Sequence, residues 1–147
     1  MPEAPTVSLA NLKIMVVEDD QLLSDLLAKK LAQTGCTLMH AADGIEGLAR
    51  MRSDHPDLVV LDILMPGMSG FEVLQQMRRD AELVNIPVIL LSNLGQEQDI
   101  DRGKELGAAN FLIKATVTLD EIVEEIKRVV DAFAERRASR IAGTRAA

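Results

Sequence analysis

Four places in the chain carry side chains suited to chemistry. Glu18, Asp19 and Asp20 stand together, Asp62 follows the run Leu58 to Leu61, Ser92 follows Pro87 to Leu91, and Lys114 follows Asn110 to Ile113. Each comes directly after a short aliphatic run. If those run ends meet in space, acids, a hydroxyl and an ammonium share one cleft. Two unpaired carboxylates about 4 Å apart repel by roughly 4 kcal/mol at an effective dielectric near 20, so three acids need a cation or a raised pKa. A divalent ion is the simplest remedy. Hard oxygen donors, with no His or Cys expected nearby, favour Mg²⁺, which keeps waters and accepts phosphate oxygens, over an all-protein Ca²⁺ cage. Beside such an ion one carboxylate could attack phosphorus as a covalent nucleophile. Lys114 and Ser92 could then hold charge on the transferring phosphoryl group.

The elements that must position these residues follow from hydrophobic pattern. Five short aliphatic runs, Lys13 to Val17, Thr37 to Ala41, Leu58 to Leu61, Pro87 to Leu91 and Asn110 to Ile113, alternate with longer helical segments. The segments are Gln21 to Thr34, Ile45 to Ser53, Gly70 to Asp80, Glu97 to Leu106, and Leu119 onward. The first, third and fourth runs are nearly all apolar, as central strands covered on both faces should be. Leu22, Leu23, Leu26, Leu27 and Leu31 make one apolar stripe, closed by Gly35 at a C-cap position. Asp43 with Glu46, Ser69 with Glu72, and Thr118 with Glu121 mark three helix starts as capping pairs, and Asp20 caps the first helix. Five β-then-α units with short connections predict an α/β fold: a doubly wound, five-stranded parallel sheet with five helices. Such sheets bind ligands beyond the carboxyl ends of their strands, which is where the four polar places fall. Met65, Pro66, Gly67 and Gly70 read as the turn that shapes the loop after Asp62.

Composition narrows the function. The chain has 147 residues, enough for one domain, with 48% hydrophobic and 27% charged residues. Three Phe and no Trp or Tyr disfavour single-strand stacking and flavin sandwiching. One cysteine, Cys36, excludes an internal disulfide, and His40 and His55 make no zinc spacing; none of the three is given a role. Net charge is −7, with the last 17 residues at +2 and the remainder at −9. An acidic body argues against nucleic-acid binding. No apolar run approaches the roughly 18 residues of a membrane span, and no signal peptide is legible, so a soluble cytoplasmic protein is expected.

From Leu12 to about Val130 the chain resembles the receiver domain of bacterial two-component response regulators. The segments that carry the likeness are Val16-Val17-Glu18-Asp19-Asp20, Leu61 through Gly70, Leu91-Ser92 and Phe111-Leu112-Ile113-Lys114. The resemblance implies a flavodoxin-like receiver fold over residues 11–130, with a flexible leader at 1–10. Residues 131–147 are expected to extend the last helix into a disordered basic tail, with no output domain. It implies that Asp62 accepts a phosphoryl group from a sensor histidine kinase, a phosphotransfer protein or a small donor. It further implies that Asp19 and Asp62 bind Mg²⁺ directly, Glu18 through water, and Leu64 by its carbonyl. Ser92 and Lys114 would engage the phosphoryl oxygens, and Phe111 would swing inward on activation. Output would be a downstream protein target or a phospho-dependent homodimer.

Two departures from the family pattern carry expectations of their own. Ala115 stands where the family has a cis proline, which predicts a trans bond and some displacement of Lys114. Leu64 and Leu94, two residues after Asp62 and Ser92, replace polar side chains and are expected to shield an acyl phosphate from water. Two alternatives remain open: a receiver-like module that is not phosphorylated, and an Mg²⁺-dependent aspartyl phosphohydrolase. The latter commonly needs an acid at the position of Leu64.

Overall fold

The computed structural model describes residues 9–146, with side chains through residue 134. Five strands, β1 (Lys13–Val17), β2 (Thr37–Ala41), β3 (Leu58–Asp62), β4 (Val88–Ser92) and β5 (Asn110–Ile113), alternate with five helices. The helices are α1 (Gln21–Ala32), α2 (Gly44–Asp54), α3 (Gly70–Arg79), α4 (Glu97–Glu105) and α5 (Leu119–Ala146). All strand pairs are parallel, in the order β2-β1-β3-β4-β5. The three most apolar runs are the central strands, as expected of strands buried on both faces. Alternate strand residues feed two cores. Met15, Val17, Val59, Leu61, Val88 and Leu90 meet α2 and α3 on one face; Ile14, Val16, Leu58, Val60, Ile89 and Leu91 meet α1 and α5 on the other.

Helix starts form where the capping residues stand. Asp20, Asp43 and Ser69 accept from the backbone N–H three residues on, at 3.2, 2.8 and 3.3 Å. Thr118 and Glu121 cap each other reciprocally. The C-cap of α1 is Gln33, not Gly35 as expected; Gly35 lies two residues further on at φ +84, a left-handed conformation that glycine adopts at little cost.

Several expectations are corrected. Leu9 is fully buried, so the packed domain starts before residue 11; residues 1–8 of the expected leader lie outside the described residues. Leu22 and Leu26 do not join the core: they are 69% and 38% exposed, while Leu27 and Leu31 carry the α1 contact. The backbone of the last helix continues past Val130 through Ala146, and the side chains of the basic tail lie outside the described residues. Cys36 is half-buried, its thiol donating to Leu31 O.

Arg78 on α3 makes a clamp that the pattern did not announce. Its guanidinium donates to the carbonyls of Val84, Ile86, Leu106 and Gly107, tying the end of α4 to the turn before β4. Ser24 on α1 is 2% exposed, and its hydroxyl has no hydrogen bond among the described residues. Burying an unsatisfied hydroxyl costs about 1–3 kcal/mol, and Ala is the better helix former. The Ser24→Ala protein is therefore expected to gain about 1 kcal/mol in urea unfolding; a loss of stability would show that the hydroxyl is bonded in solution.

Candidate functional site

The site is built by register. Val17 pairs with Leu61, so the next residue, Glu18, comes level with Asp62, the last rung of β3. Ser92 ends β4 opposite Ile113, and the Lys114 N–H donates to Ser92 O at 2.9 Å. Glu18 and Asp62 are 1% and 3% exposed, whereas Asp19 is open to solvent. Glu18, Asp19 and Asp62 each bring a carboxylate oxygen within 4.8 Å of the others. The Lys114 ammonium lies 2.7 Å from Glu18 Oε2 and 3.1 Å from Asp62 Oδ2.

The electrostatics follow from burial. Removal from water raises the Glu18 pKa to about 7, with the Asp62 charge adding to it against the pull of Lys114 and the Asp20 amide. Burial also opposes the charge on Lys114, but its hydrogen bonds to Glu18 and Asp62 prevail and hold its pKa above the lysine norm. The donor chemistry fits a hard divalent cation. Three carboxylates converge, and Glu18 Oε2 is buried with no hydrogen bond, answered only by the nearby ammonium.

The expected trans bond is present, since no described peptide is cis, but the displacement of Lys114 is not: its ammonium reaches both acids. Asp20 serves as a helix cap. The Asp62 carboxylate accepts from Leu64 N–H at 3.3 Å through Oδ1, and Ser92 Oγ accepts from Leu94 N–H at 3.3 Å. Ser92 is fully buried at the end of β4, and its hydroxyl makes no bond to the acids. The Leu64 side chain is 55% exposed, and Leu94 packs on the core. Phe111 is half-buried against the core beside α4. A Cβ added at Gly103 would lie 3.3 Å from its ring and 2.8 Å from Leu90 Cδ1. Gly103 is thus a close-packing seat for α4.

The sequence reading passed over His40, the next-to-last residue of β2, whose Nε2 lies 2.8 Å from the Glu18 carbonyl. The available signal was a polar ring near the end of the strand beside the acidic one.

A doubly wound parallel sheet thus gathers acids, a hydroxyl and an ammonium at one carboxyl edge. Residues 14–127 match the family described as the response regulator receiver domain, and the chain belongs to that family. It is 37% identical over 102 residues to protein PilH of Pseudomonas aeruginosa, covering 69% of this chain and 84% of PilH. It is 36% identical over 129 residues to the DNA-binding dual master transcriptional regulator RpaA of Synechocystis, covering 88% of this chain and 51% of RpaA. The chain thus spans about half the length of that regulator. Among solved structures, chemotaxis protein CheY4 of Vibrio cholerae superposes with a TM-score of 0.76 at 27% identity, over 82% of this chain and 99% of that one. Among the described residues no helix is long and apolar enough to cross a membrane.

Lys114 is the one cation facing the two buried acids among the described residues. Removing one partner of a buried pair costs about 3–5 kcal/mol, less where the pair is partly solvated. The Lys114→Met protein is expected to lose about 2 kcal/mol in metal-free buffer and to recover more stability from added Mg²⁺ than wild type does. Equal thermal shifts for the two proteins would contradict this.

Proposed function

We propose that this chain is a phosphoacceptor whose Asp62 takes a phosphoryl group from the phosphohistidine of a sensor kinase or phosphotransfer protein, or from a small phosphodonor. The observation that carries the reading is Asp62 itself: a buried carboxylate at a strand end, held 3.1 Å from Lys114 and within reach of two further acids. A buried carboxylate beside further acids is costly unless a cation balances it. Mg²⁺ held by Asp19, Asp62, the Leu64 carbonyl and, through water, Glu18 would supply charge neutralisation for the transferring group. An Asp62 oxygen forms the new bond to phosphorus as the bond to the donor atom breaks, and the leaving group keeps the electron pair. Lys114 and Ser92 then face the added oxygens from the two neighbouring strands.

The rim supports a protein donor. Leu22, Ile45 and Leu64, each more than half exposed, stand just after β1, β2 and β3, at the same carboxyl edge as the acids. Output is proposed to run through α4 and Phe111 to a downstream protein or a second phosphorylated copy. Of the nine α4 residues only Gly103 is buried, and Arg102 over the Phe71 ring at 4.6 Å is its side-chain tie to α3. The module's own chemistry ends with gaining and losing this phosphate, in the cytoplasm. Lys114 reaching both acids favours this reading over a silent module, and Leu64 in place of a second acid favours it over a phosphohydrolase.

Incubation with acetyl phosphate and Mg²⁺ is expected to add the mass of one phosphoryl group, lost on treatment with hydroxylamine. No uptake from either acetyl phosphate or phosphoramidate would overturn the reading. With Leu64 and Leu94 offering no polar side chain to guide water, the phosphorylated protein is expected to outlive its Leu64→Asn counterpart by roughly tenfold; equal decay rates would remove the shielding role.

A further inference from the structure

Glu18 and Asp19 sit on a turn just past the last rung of the β1–β2 ladder. The Glu18 N–H still reaches that ladder, donating to Ala41 O at 3.0 Å. The Glu18 carbonyl lies one group further on, beyond the final paired residues Val17 and Ala41, so no strand amide meets it. The His40 ring takes that place, with Nε2 at 2.8 Å from Glu18 O. A carbonyl only accepts, so Nε2 carries the proton whether the ring is neutral or charged. His40 is anchored in turn, because Arg50 on α2 donates to its backbone carbonyl.

Two bonds from β2 therefore bracket Glu18, one at its N–H and one at its C=O. Holding both peptide groups of a residue fixes its Cα–Cβ direction. For Glu18 this sets where the carboxylate points, and it sets where the next residue, Asp19, begins. Nothing else among the described residues bonds the Glu18 carbonyl.

We infer that His40 is a positioning residue for the divalent-cation site, acting through the Glu18 carbonyl and without touching the ion. The inference rests on the proposed reading of Glu18, Asp19 and Asp62 as the cation's acids. Groups that orient metal ligands from behind cost about 10–100-fold in metal affinity when removed. The effect belongs to cation binding, so it should fade once the cation is saturating.

The test uses the unphosphorylated full chain titrated with MgCl₂ in a calorimeter, together with the Mg²⁺ dependence of phosphoryl uptake from acetyl phosphate. His40→Leu keeps the bulk and removes the donor; His40→Gln places an amide N–H at about the reach of Nε2. The Leu variant is expected to bind Mg²⁺ about tenfold more weakly, with uptake at saturating Mg²⁺ within about twofold of wild type, and the Gln variant is expected to recover most of the affinity. A Leu variant that binds Mg²⁺ like wild type overturns the role while leaving the phosphoacceptor reading in place. A Gln variant as weak as the Leu one shows that ring packing, and not the hydrogen bond, is at work, and also overturns it. A wild-type chain that binds no Mg²⁺ overturns the cation site and this role together.

Discussion

The Asp62→Ala protein is expected to take up no phosphoryl group from acetyl phosphate, a loss on the order of 10³-fold or more, as when a covalent nucleophile is deleted. The fold should survive the change. Asp62 is one of two buried acids sharing one ammonium, and in its absence Lys114 keeps Glu18 at 2.7 Å. One buried pair replaces three groups carrying an excess negative charge, so like-charge repulsion falls. Urea unfolding in metal-free buffer should place Asp62→Ala within about 1 kcal/mol of wild type or above it. Asp62→Asn keeps the shape, still accepts from Leu64 N–H, and lacks the anionic oxygen that attacks phosphorus. It should be equally inert. Intact mass after phosphodonor treatment checks both variants, and label appearing on either at the wild-type rate would place the acceptor elsewhere. A loss of uptake accompanied by a collapse in stability would instead make Asp62 a structural residue.

Why the acids were legible from sequence, and their supports were not, comes down to where side-chain identity matters. Glu18, Asp62, Ser92 and Lys114 each follow an aliphatic run, and parallel strands of like length must bring such ends to one edge. Strands β3 and β4 run one residue further than expected, because Asp62 and Ser92 pair through backbone groups that any residue carries. Leucine spacing on α1 gave the helix but overstated its buried face: the sheet takes Leu27 and Leu31 and leaves Leu22 at the rim. His40 and Arg78 escaped for a common reason. Their partners are carbonyls, one on Glu18 and four at Val84, Ile86, Leu106 and Gly107, and a carbonyl leaves no mark in the residue types. The displacement expected for Lys114 did not occur, because the ammonium at the end of a flexible four-carbon stem can reach the acids from a trans backbone.

Gly70 shows the same limit most sharply, and replacing it should have the largest effect on the fold. The sequence presents Gly67 and Gly70 as two glycines of one turn, but they differ in kind. Gly67 lies at φ +77, with nothing within 4 Å of an added Cβ. Gly67→Ala therefore meets only left-handed backbone strain, roughly 1 kcal/mol. Gly70 opens α3 directly against the end of β3, its N–H donating to Ile63 O at 2.9 Å. A Cβ there would stand 2.3 Å from Asp62 O, 2.7 Å from Ile63 Cα and 2.9 Å from Asp62 C. Every one of those atoms is backbone, so no rotamer change relieves the clash. The helix must lift from the strand that carries the acceptor, and overpacking against a rigid neighbour costs about 3 kcal/mol. For a chain of this size that is a fall in Tm of roughly 10 °C. Lifting α3 also shifts Asp62 against Lys114, and displacement of a reacting group by about 1 Å costs on the order of 10²-fold in rate. Gly70→Ala is thus expected to lose both stability and phosphoryl uptake, while Gly67→Ala loses a little stability and keeps its uptake. Thermal unfolding and acetyl phosphate labelling of the pair decide it: equal losses in the two variants would mean that α3 does not rest on the peptide of Asp62, and that the acceptor is positioned by its own strand alone.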